Sequence, residues 1–272
     1  MSKVALITGA SSGMGKSTAH KLHSQGYTVY GAARRMKKMQ DLKEKGMSIV
    51  PLDLTKDASI VDCINTILKK EGRIDVLINN AGYGSYGAVE DVSIEEAKRQ
   101  FEVNMFGLAR ITQLVLPNMR ERKSGRIVNI SSMGGKIYTP FGAWYHATKH
   151  AVEGWSDCLR LELKKFEIDV VVVEPGGIKT DWGMIAAENL KKTSGTGAYS
   201  EFAIHVAEGM KKTYSNDSLT DVDVLGKVIA QAATTKKPKT RYAKGYMAKP
   251  AMAIRKWFGD RIFDKMIMSQ FK

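Results

Sequence analysis

The chain has 272 residues, 43% of them hydrophobic, and carries a formal net charge of +14. That length suits one α/β domain with a full core, and no apolar run approaches the roughly 18 residues that a membrane span needs. Met1-Ser2-Lys3 leads straight into an apolar strand pattern, from which no signal peptide is expected. The only cysteines, Cys63 and Cys158, sit in helix-like patterns. They read as buried thiols of a cytoplasmic protein, with no metal cluster.

The charge is unevenly spread. From Lys236 onward eleven Lys/Arg stand against Asp260 and Asp264, which is +9 and leaves +5 for the remainder. A basic tail suits anionic lipid, nucleic acid or an acidic carrier protein, or is simply a solvated face.

Val4 to Ile7 predicts a short buried strand. Thr8 to Gly15 then reads T-G-x-x-x-G-x-G, and a helical pattern follows, closed by Gly26. Strand, glycine turn and helix N-terminus together make a phosphate cradle. The turn would hold a dinucleotide pyrophosphate on Gly9, Gly13 and Gly15. Ala10 to Ser17 also nearly fits G-x-x-x-x-G-K-[ST]. In that P-loop reading Lys16 reaches a triphosphate and Ser17 a magnesium ion, with Asp53 or Glu174 as the metal-side carboxylate.

Tyr27 to Ala33 predicts the second strand, followed at once by Arg34 and Arg35. An acidic residue here would hold the ribose 2′-hydroxyl of NAD, whereas arginine suits the 2′-phosphate of NADP. The expectation is therefore NADP(H) in preference to NAD(H). Met47 to Leu52 is a third strand ending at Asp53, Asp57 to Lys70 a helix, and Ile74 to Ile78 a fourth strand running into Asn79-Asn80-Ala81-Gly82. Regular alternation of strand and helix argues for a parallel, doubly wound sheet, with ligand across the carboxyl ends of its strands. Gly9, Arg34, Asp53 and Asn80 all fall at such ends.

T-G-x-x-x-G-x-G with N-N-A-G resembles the short-chain dehydrogenase/reductase family. The resemblance implies a single Rossmann-fold domain over residues 1–272, with about seven strands, right-handed crossovers and helices on both faces. It implies that Asp53 contacts the adenine and that Asn80 supports the central strand and the cofactor. It extends the cofactor site to Ser11, Ser12, Met14, Leu54, Ala81 and Gly82.

Ser93 to Glu121 carries a long helical pattern, opened by the capping box Ser93/Glu96. Asn104 lies inside it, a poor mid-helix residue. The family resemblance of F-E-V-N-M-F-G makes Asn104 a catalytic residue at a helix distortion, holding a water. Gly125 to Ser131 predicts a fifth strand with Ser132 at its carboxyl end, and Gly134-Gly135 loosens the backbone beyond it. Tyr145 and Lys149 open the next helix on one face. Y-x-x-x-K alone is uninformative, but its placement thirteen residues after Ser132 matches the family. The resemblance assigns Ser132, Tyr145 and Lys149 to catalysis, Lys149 lowering the Tyr145 pKa and binding the nicotinamide ribose. Asp169 to Val173 predicts a sixth, central strand. Pro175, Gly176, Ile178 and Thr180 follow in P-G-x-x-x-T, which in the family holds the nicotinamide amide.

Residues 182–218 show no strand and read as a substrate lid, with Trp182, Met184, Tyr199 and Phe202 lining an apolar site. Thr220 to Ala233 is helical. Pro238 to Tyr242, P-x-x-R-Y, resembles the branch with 17β-hydroxysteroid and retinol dehydrogenases, which puts the usual family tetramer in question. Residues 246–272 form a basic, amphipathic extension bearing Trp257, Phe258, Ile262, Phe263 and Met266. It suits a peripheral membrane contact or packing on the lid, and packing is the preferred reading.

The resulting expectation is an NADP(H)-dependent oxidoreductase and homo-oligomer acting on a small hydrophobic carbonyl or secondary alcohol, with no nucleic-acid partner. Rival readings are a 3-oxoacyl-carrier thioester reductase and a non-catalytic NADP-binding scaffold. The P-loop reading leaves Arg34, Asn79 to Gly82 and Ser132/Tyr145/Lys149 without a role.

Overall fold

A computed structural model describes residues 2–215 and 217–270. Position 216 of the expected lid and positions 271–272 of the expected extension lie outside the described residues. Seven strands form one parallel sheet in the order β3-β2-β1-β4-β5-β6-β7. They are β1 (Val4–Thr8), β2 (Thr28–Ala33), β3 (Ser48–Pro51), β4 (Val76–Asn79), β5 (Gly125–Ile130), β6 (Ile168–Pro175) and β7 (Arg241–Lys244). The helices are α1 (Gly13–Ser24), α2 (Gln40–Glu44), α3 (Asp57–Glu71), α4 (Ile94–Phe101), α5 (Gly107–Glu121), α6 (Ala143–Leu163), α7 (Trp182–Ser194), α8 (Ser200–Tyr214), α9 (Val222–Thr234) and α10 (Ala248–Ser269).

Alternation along each strand splits the core into two layers, because successive side chains point to opposite faces. Ala5, Ile7, Val128 and Val171 pack with Leu22 of α1 and Leu225 and Ile229 of α9. Val4, Leu6, Ile127 and Val170 pack on the other face with α3, α5 and α6, through Ile64, Ile111, Val115 and Leu159. Both faces are covered, so the central strands read as unbroken apolar runs.

Half of the expected capping box is present: Ser93 Oγ accepts from the Glu96 N–H at 3.2 Å, while the Glu96 carboxylate accepts from the Tyr83 hydroxyl at 2.9 Å. The long helix that it opens is not continuous. One wider π-helical turn, Glu102–Phe106, joins α4 to α5 and contains Asn104. The seventh strand lies in R-Y-A-K, paired with β6 from Val172↔Arg241 to Pro175↔Lys244. It is too short and half-exposed to stand out as an apolar run.

The expected lid is built of α7 and α8, with a short 3₁₀ turn, Gly197–Tyr199, between them. The extension does pack on the domain, but against a different surface from the one expected. Phe263 and Ile267 of α10 are buried with Ile137, and Met133, Tyr138 and Met266 pack around them. The partner is thus the loop after β5. Trp257, Phe258 and Ile262 take no part in this contact and remain exposed.

Phe263 is completely buried. Phe263→Ala should therefore cost about 3–5 kcal/mol in urea unfolding. An unchanged midpoint would mean that α10 is not part of the folded core.

Candidate active site

The sheet brings the predicted cofactor residues to one edge. Gly9, Ser11, Ser12, Gly13, Met14, Arg34, Arg35, Asp53, Leu54, Asn80, Ala81, Gly82 and Thr180 line one cavity of about 750 Å³. They come from the carboxyl ends of β1, β2, β3, β4 and β6, where an open α/β sheet takes its ligand. The first turn is tight. A Cβ on Gly15 would collide with Asn80 Nδ2 and lie 2.7 Å from Gly9 O, and Gly9 itself has φ of +70°. Asn80 Nδ2 donates to Thr8 O at 2.9 Å, and the Asn80 and Ala81 N–H groups both donate to Thr8 Oγ1 at 3.0 Å. These bonds close β1 onto β4 and leave the start of α1 facing the cavity. Anion-binding N–H groups, a glycine cradle and a large cavity fit a dinucleotide.

Arg35 Nη2 donates to Ser11 Oγ at 3.1 Å and to Ser12 Oγ at 3.0 Å. It thereby ties the end of β2 to the glycine turn. Arg34 is exposed on the same cavity wall. Burial acts to raise the Asp53 pKa, but hydrogen bonds from the Thr55 N–H and hydroxyl, with the nearby Arg34 charge, bring it below the usual value. Asp53 is thus an anionic acceptor at the end of β3.

The P-loop reading fails on side-chain partners. Lys16 Nζ is paired with Asp41 at 2.8 Å, and Ser17 Oγ donates to Asp223 at 2.6 Å. Both groups are engaged in fastening α1 to α2 and α9. Among the described residues no cluster of His, Cys, Asp or Glu suits a metal ion.

A second cavity, of about 340 Å³, is lined by Ser132, Tyr145 and Lys149, together with Pro175, Gly176, Ile178 and Thr180. Met14, Asn80, Gly82, Tyr83, Thr180 and Trp182 line both cavities, so the two share a wall. Ser132 leads the loop after β5, its Oγ accepting from the Gly134 N–H at 3.0 Å. The glycines after it bring the loop down onto α6: a Cβ on Gly134 would lie 2.9 Å from His146 Nδ1, and one on Gly135 2.9 Å from Lys149 O. Close approach, rather than loosened backbone, is what this Gly-Gly pair provides.

Tyr145 and Lys149 are both buried on one face of α6. Burial pushes the Tyr145 hydroxyl up to about 12, with a Ser132 hydrogen bond acting in the opposite direction. The expected lowering by Lys149 is therefore not met in this structure. The Lys149 ammonium lies 6.0 Å from the Tyr145 ring centre and donates instead to Ile130 O at 2.9 Å. Burial brings Lys149 itself down to about 8, with Glu153 one helical turn on acting to raise it. Asn104 Nδ2 donates to Tyr83 O at 2.8 Å and to Thr148 Oγ1 at 3.1 Å, while its Oδ1 accepts from the Tyr83 N–H at 3.0 Å. The π turn thus presents a buried amide to the loop after β4, beside α6.

Of the expected lid residues, Trp182 lines both cavities, its ring centre 5.1 Å from that of Tyr145. Met184, Tyr199 and Phe202 do not line the second cavity. Met184 is two residues beyond Trp182, about 200° around the helix, and it faces outward. Tyr199 is likewise exposed, and Phe202 packs on Phe141 with ring centres 5.0 Å apart. The apolar lining comes from Tyr86, Ile137, Pro140, Val206, Met210 and Tyr214. The spacing of Val206, Met210 and Tyr214 on α8 is the signal that could have found half of them.

His146 also lines this cavity and was not expected from sequence. Its Nε2 accepts from the Thr139 N–H at 3.0 Å, which puts the proton on Nδ1, 2.9 Å from Gly134 O. Burial lowers its pKa to about 4, so it is a neutral brace for the Ser132 loop.

The sequence profile of the family described as short chain dehydrogenase matches residues 3–191. A probable short-chain type dehydrogenase/reductase, VdlC, from Helicobacter pylori is 37% identical over 254 residues, covering 92% of this chain and 91% of that protein. The 3-ketodihydrosphingosine reductase of Bacteroides thetaiotaomicron is 36% identical over 262 residues, covering 96% and 94%. Among solved structures, a short-chain dehydrogenase from Streptomyces avermitilis aligns with a TM-score of 0.81 at 34% identity, covering 93% and 92%. An actinorhodin polyketide ketoreductase with NADPH aligns with a TM-score of 0.74 at 30% identity, covering 89% and 94%. The chain belongs to the short-chain dehydrogenase/reductase family. It is an oxidoreductase of that family.

A histidine that ionises near 6.5 in the unfolded chain and near 4 in the folded one costs stability as pH falls through that window, because only the unfolded chain takes up the proton. Between pH 7 and pH 5 the wild type should lose about 2 kcal/mol more unfolding free energy than His146→Gln. Parallel pH profiles for the two proteins would show that His146 titrates normally.

Proposed function

We propose that this protein uses NADP(H) to interconvert a carbonyl and a secondary alcohol in a small apolar molecule. The observation that carries the proposal is the wall shared by the cradle-lined cavity and the cavity holding Ser132, Tyr145 and Lys149. A reacting carbon in the second cavity can sit next to a nicotinamide reaching across from the first. Bound there, the cofactor supplies the hydride that the carbonyl carbon takes up.

The chain's own work is on the oxygen. Ser132 donates a hydrogen bond to it, which stabilises the charge that develops there. Tyr145 gives the proton. With its pKa near 12, Tyr145 holds that proton at neutral pH. The buried ammonium of Lys149 then offsets the negative charge left on the tyrosine oxygen. Asn104 positions the loop after β4 through Tyr83 and braces α6 through Thr148, and its amide is suited to holding a water on the proton path. Trp182, Tyr86, Val206 and Met210 exclude bulk water and favour an apolar substrate. Kinship to a reductase of a long-chain sphingoid ketone accords with such a pocket.

Preference for NADP(H) rests on Arg34 and Arg35. Two guanidinium groups stand where the ribose 2′ position is read, and no acidic residue adjoins them at the end of β2. In a titration followed by cofactor fluorescence, NADPH should bind at least about tenfold more tightly than NADH. Arg34→Ala should shrink the difference by weakening NADPH alone, whereas Arg35→Ala, which also frees the glycine turn, should weaken both cofactors. Equal affinity in the wild type would sink the assignment.

Tyr145→Phe should retain NADPH binding and lose at least about 100-fold in kcat. The pH profile of kcat/KM for carbonyl reduction should fall on the basic side near pH 8. Lys149 loses its charge there, whereas Tyr145 is still protonated. A limb displaced above pH 10 would remove Lys149 from the proposed role.

A further inference from the structure

The C-terminal helix has a second face that the core does not use. At Gly259, with φ of +72°, α10 breaks into two segments. The run from Lys256 to Ile262 spans this elbow and is exposed throughout. Trp257 is 74% exposed, Phe258 61% and Ile262 51%. Each of these exposures is high for a large apolar side chain, and here three occur within six residues. Burial of Phe263 and Ile267 against Ile137 anchors the elbow on the domain, so the exposure does not come from a loose end.

The charges around the tip are sorted. Asp260 is paired with Arg255 at 3.1 Å, and Asp264 accepts from the Tyr138 hydroxyl at 2.8 Å. Both acids are thus paired, Asp260 within α10 and Asp264 with the loop after β5, although both remain exposed. Lys249, Lys256, Arg261 and Lys265 are exposed on the same helix, and Lys256 lies over the Trp257 ring at 5.2 Å. An apolar tip fringed with basic residues matches a lipid interface. Aromatic and aliphatic side chains enter the headgroup boundary, while long basic side chains reach back to anionic headgroups. A second copy of the chain fits less well, since it would bring the same positive charge face to face. Nucleic acid would use the aromatic rings but has no place for exposed Ile262 and Met268.

We propose that the α10 elbow, through Trp257, Phe258 and Ile262, docks this protein on the surface of an anionic bilayer without crossing it. Among the described residues no helix is long and apolar enough to span a membrane. Gln270, at the far end of α10, lines the apolar cavity. Docking would therefore couple the lipid surface to the cavity rim through one helix. The proposal stands independently of the hydride-transfer chemistry.

The test is co-sedimentation of the full chain with vesicles of phosphatidylcholine alone, or of phosphatidylcholine containing phosphatidylglycerol. The wild type should partition at least about tenfold more strongly to the anionic vesicles and be released by raised salt. Trp257→Ala/Phe258→Ala should lose most of that binding while keeping its NADPH affinity and thermal midpoint. Lys256→Glu/Arg261→Glu should lose the preference for anionic lipid. The proposal is overturned if the wild type stays in the supernatant with anionic vesicles. It is equally overturned if the tip variant binds them as well as the wild type does. A drop in mass by light scattering in the tip variant, with no vesicle binding by the wild type, would instead assign the elbow to a second copy of the chain.

Discussion

The side chain of Asn80 and the hydroxyl of Thr8 hold the centre of the sheet together. Thr8 Oγ1 accepts from two consecutive N–H groups after β4, and Asn80 Nδ2 returns a bond to Thr8 O. The order of the strands reverses at this pair, β2 and β3 lying to one side and β5, β6 and β7 to the other. With β1 and β4 clamped, the glycine turn has no room for a Cβ at Gly9 or Gly15. The start of α1 is then directed at the cavity. Partial positive charge, cradle and strand ends coincide because one junction holds all three.

The same economy governs the second cavity. Helix α6 carries Tyr145, Lys149 and Glu153 at successive turns, so a buried hydroxyl, an ammonium and a carboxylate share one face. Glu153 is in turn held by Lys136 at 3.1 Å and by Arg241 of β7 at 3.0 Å. Burial raises the neighbouring Glu174 to about 7. The last strand therefore does more than complete the sheet: its first residue anchors the charge network behind Lys149. The π turn at Asn104 serves the other side, bonding the loop after β4 and Thr148 of α6 together.

Much of this was legible in the chain because the chemistry is local. T-G-x-x-x-G-x-G demands a particular backbone path within a few residues, and Ser93/Glu96 demands a helix start. The four-residue step from Tyr145 to Lys149 demands a shared helical face. What the sequence left open or missed depends on distant partners. Lys16 and Ser17 satisfy a nucleotide-binding spacing, and the rival reading they offered is closed only by Asp41 and Asp223 from elsewhere in the fold. The state of Tyr145 was misjudged because spacing conveys the nearness of a cation but not the depth of burial, and burial dominates. The lid lining was misjudged because Met184, Tyr199 and Phe202 are suitably apolar, but which face of α7 and α8 turns inward depends on the helix they meet.

By itself, then, the sequence determined the doubly wound sheet, the strand ends at which the cradle residues gather and the family to which the chain belongs. These follow from periodicity and from turn chemistry that acts over a few residues. Only the tertiary structure decided which side chains wall the apolar cavity, where the protons of Tyr145, Lys149 and His146 sit, and how α10 divides its apolar residues. Phe263 and Ile267 found a surface at Ile137, whereas Trp257, Phe258 and Ile262 did not. Burial and its electrostatic consequences are properties of the assembled neighbourhood, and residues far apart in the chain create it.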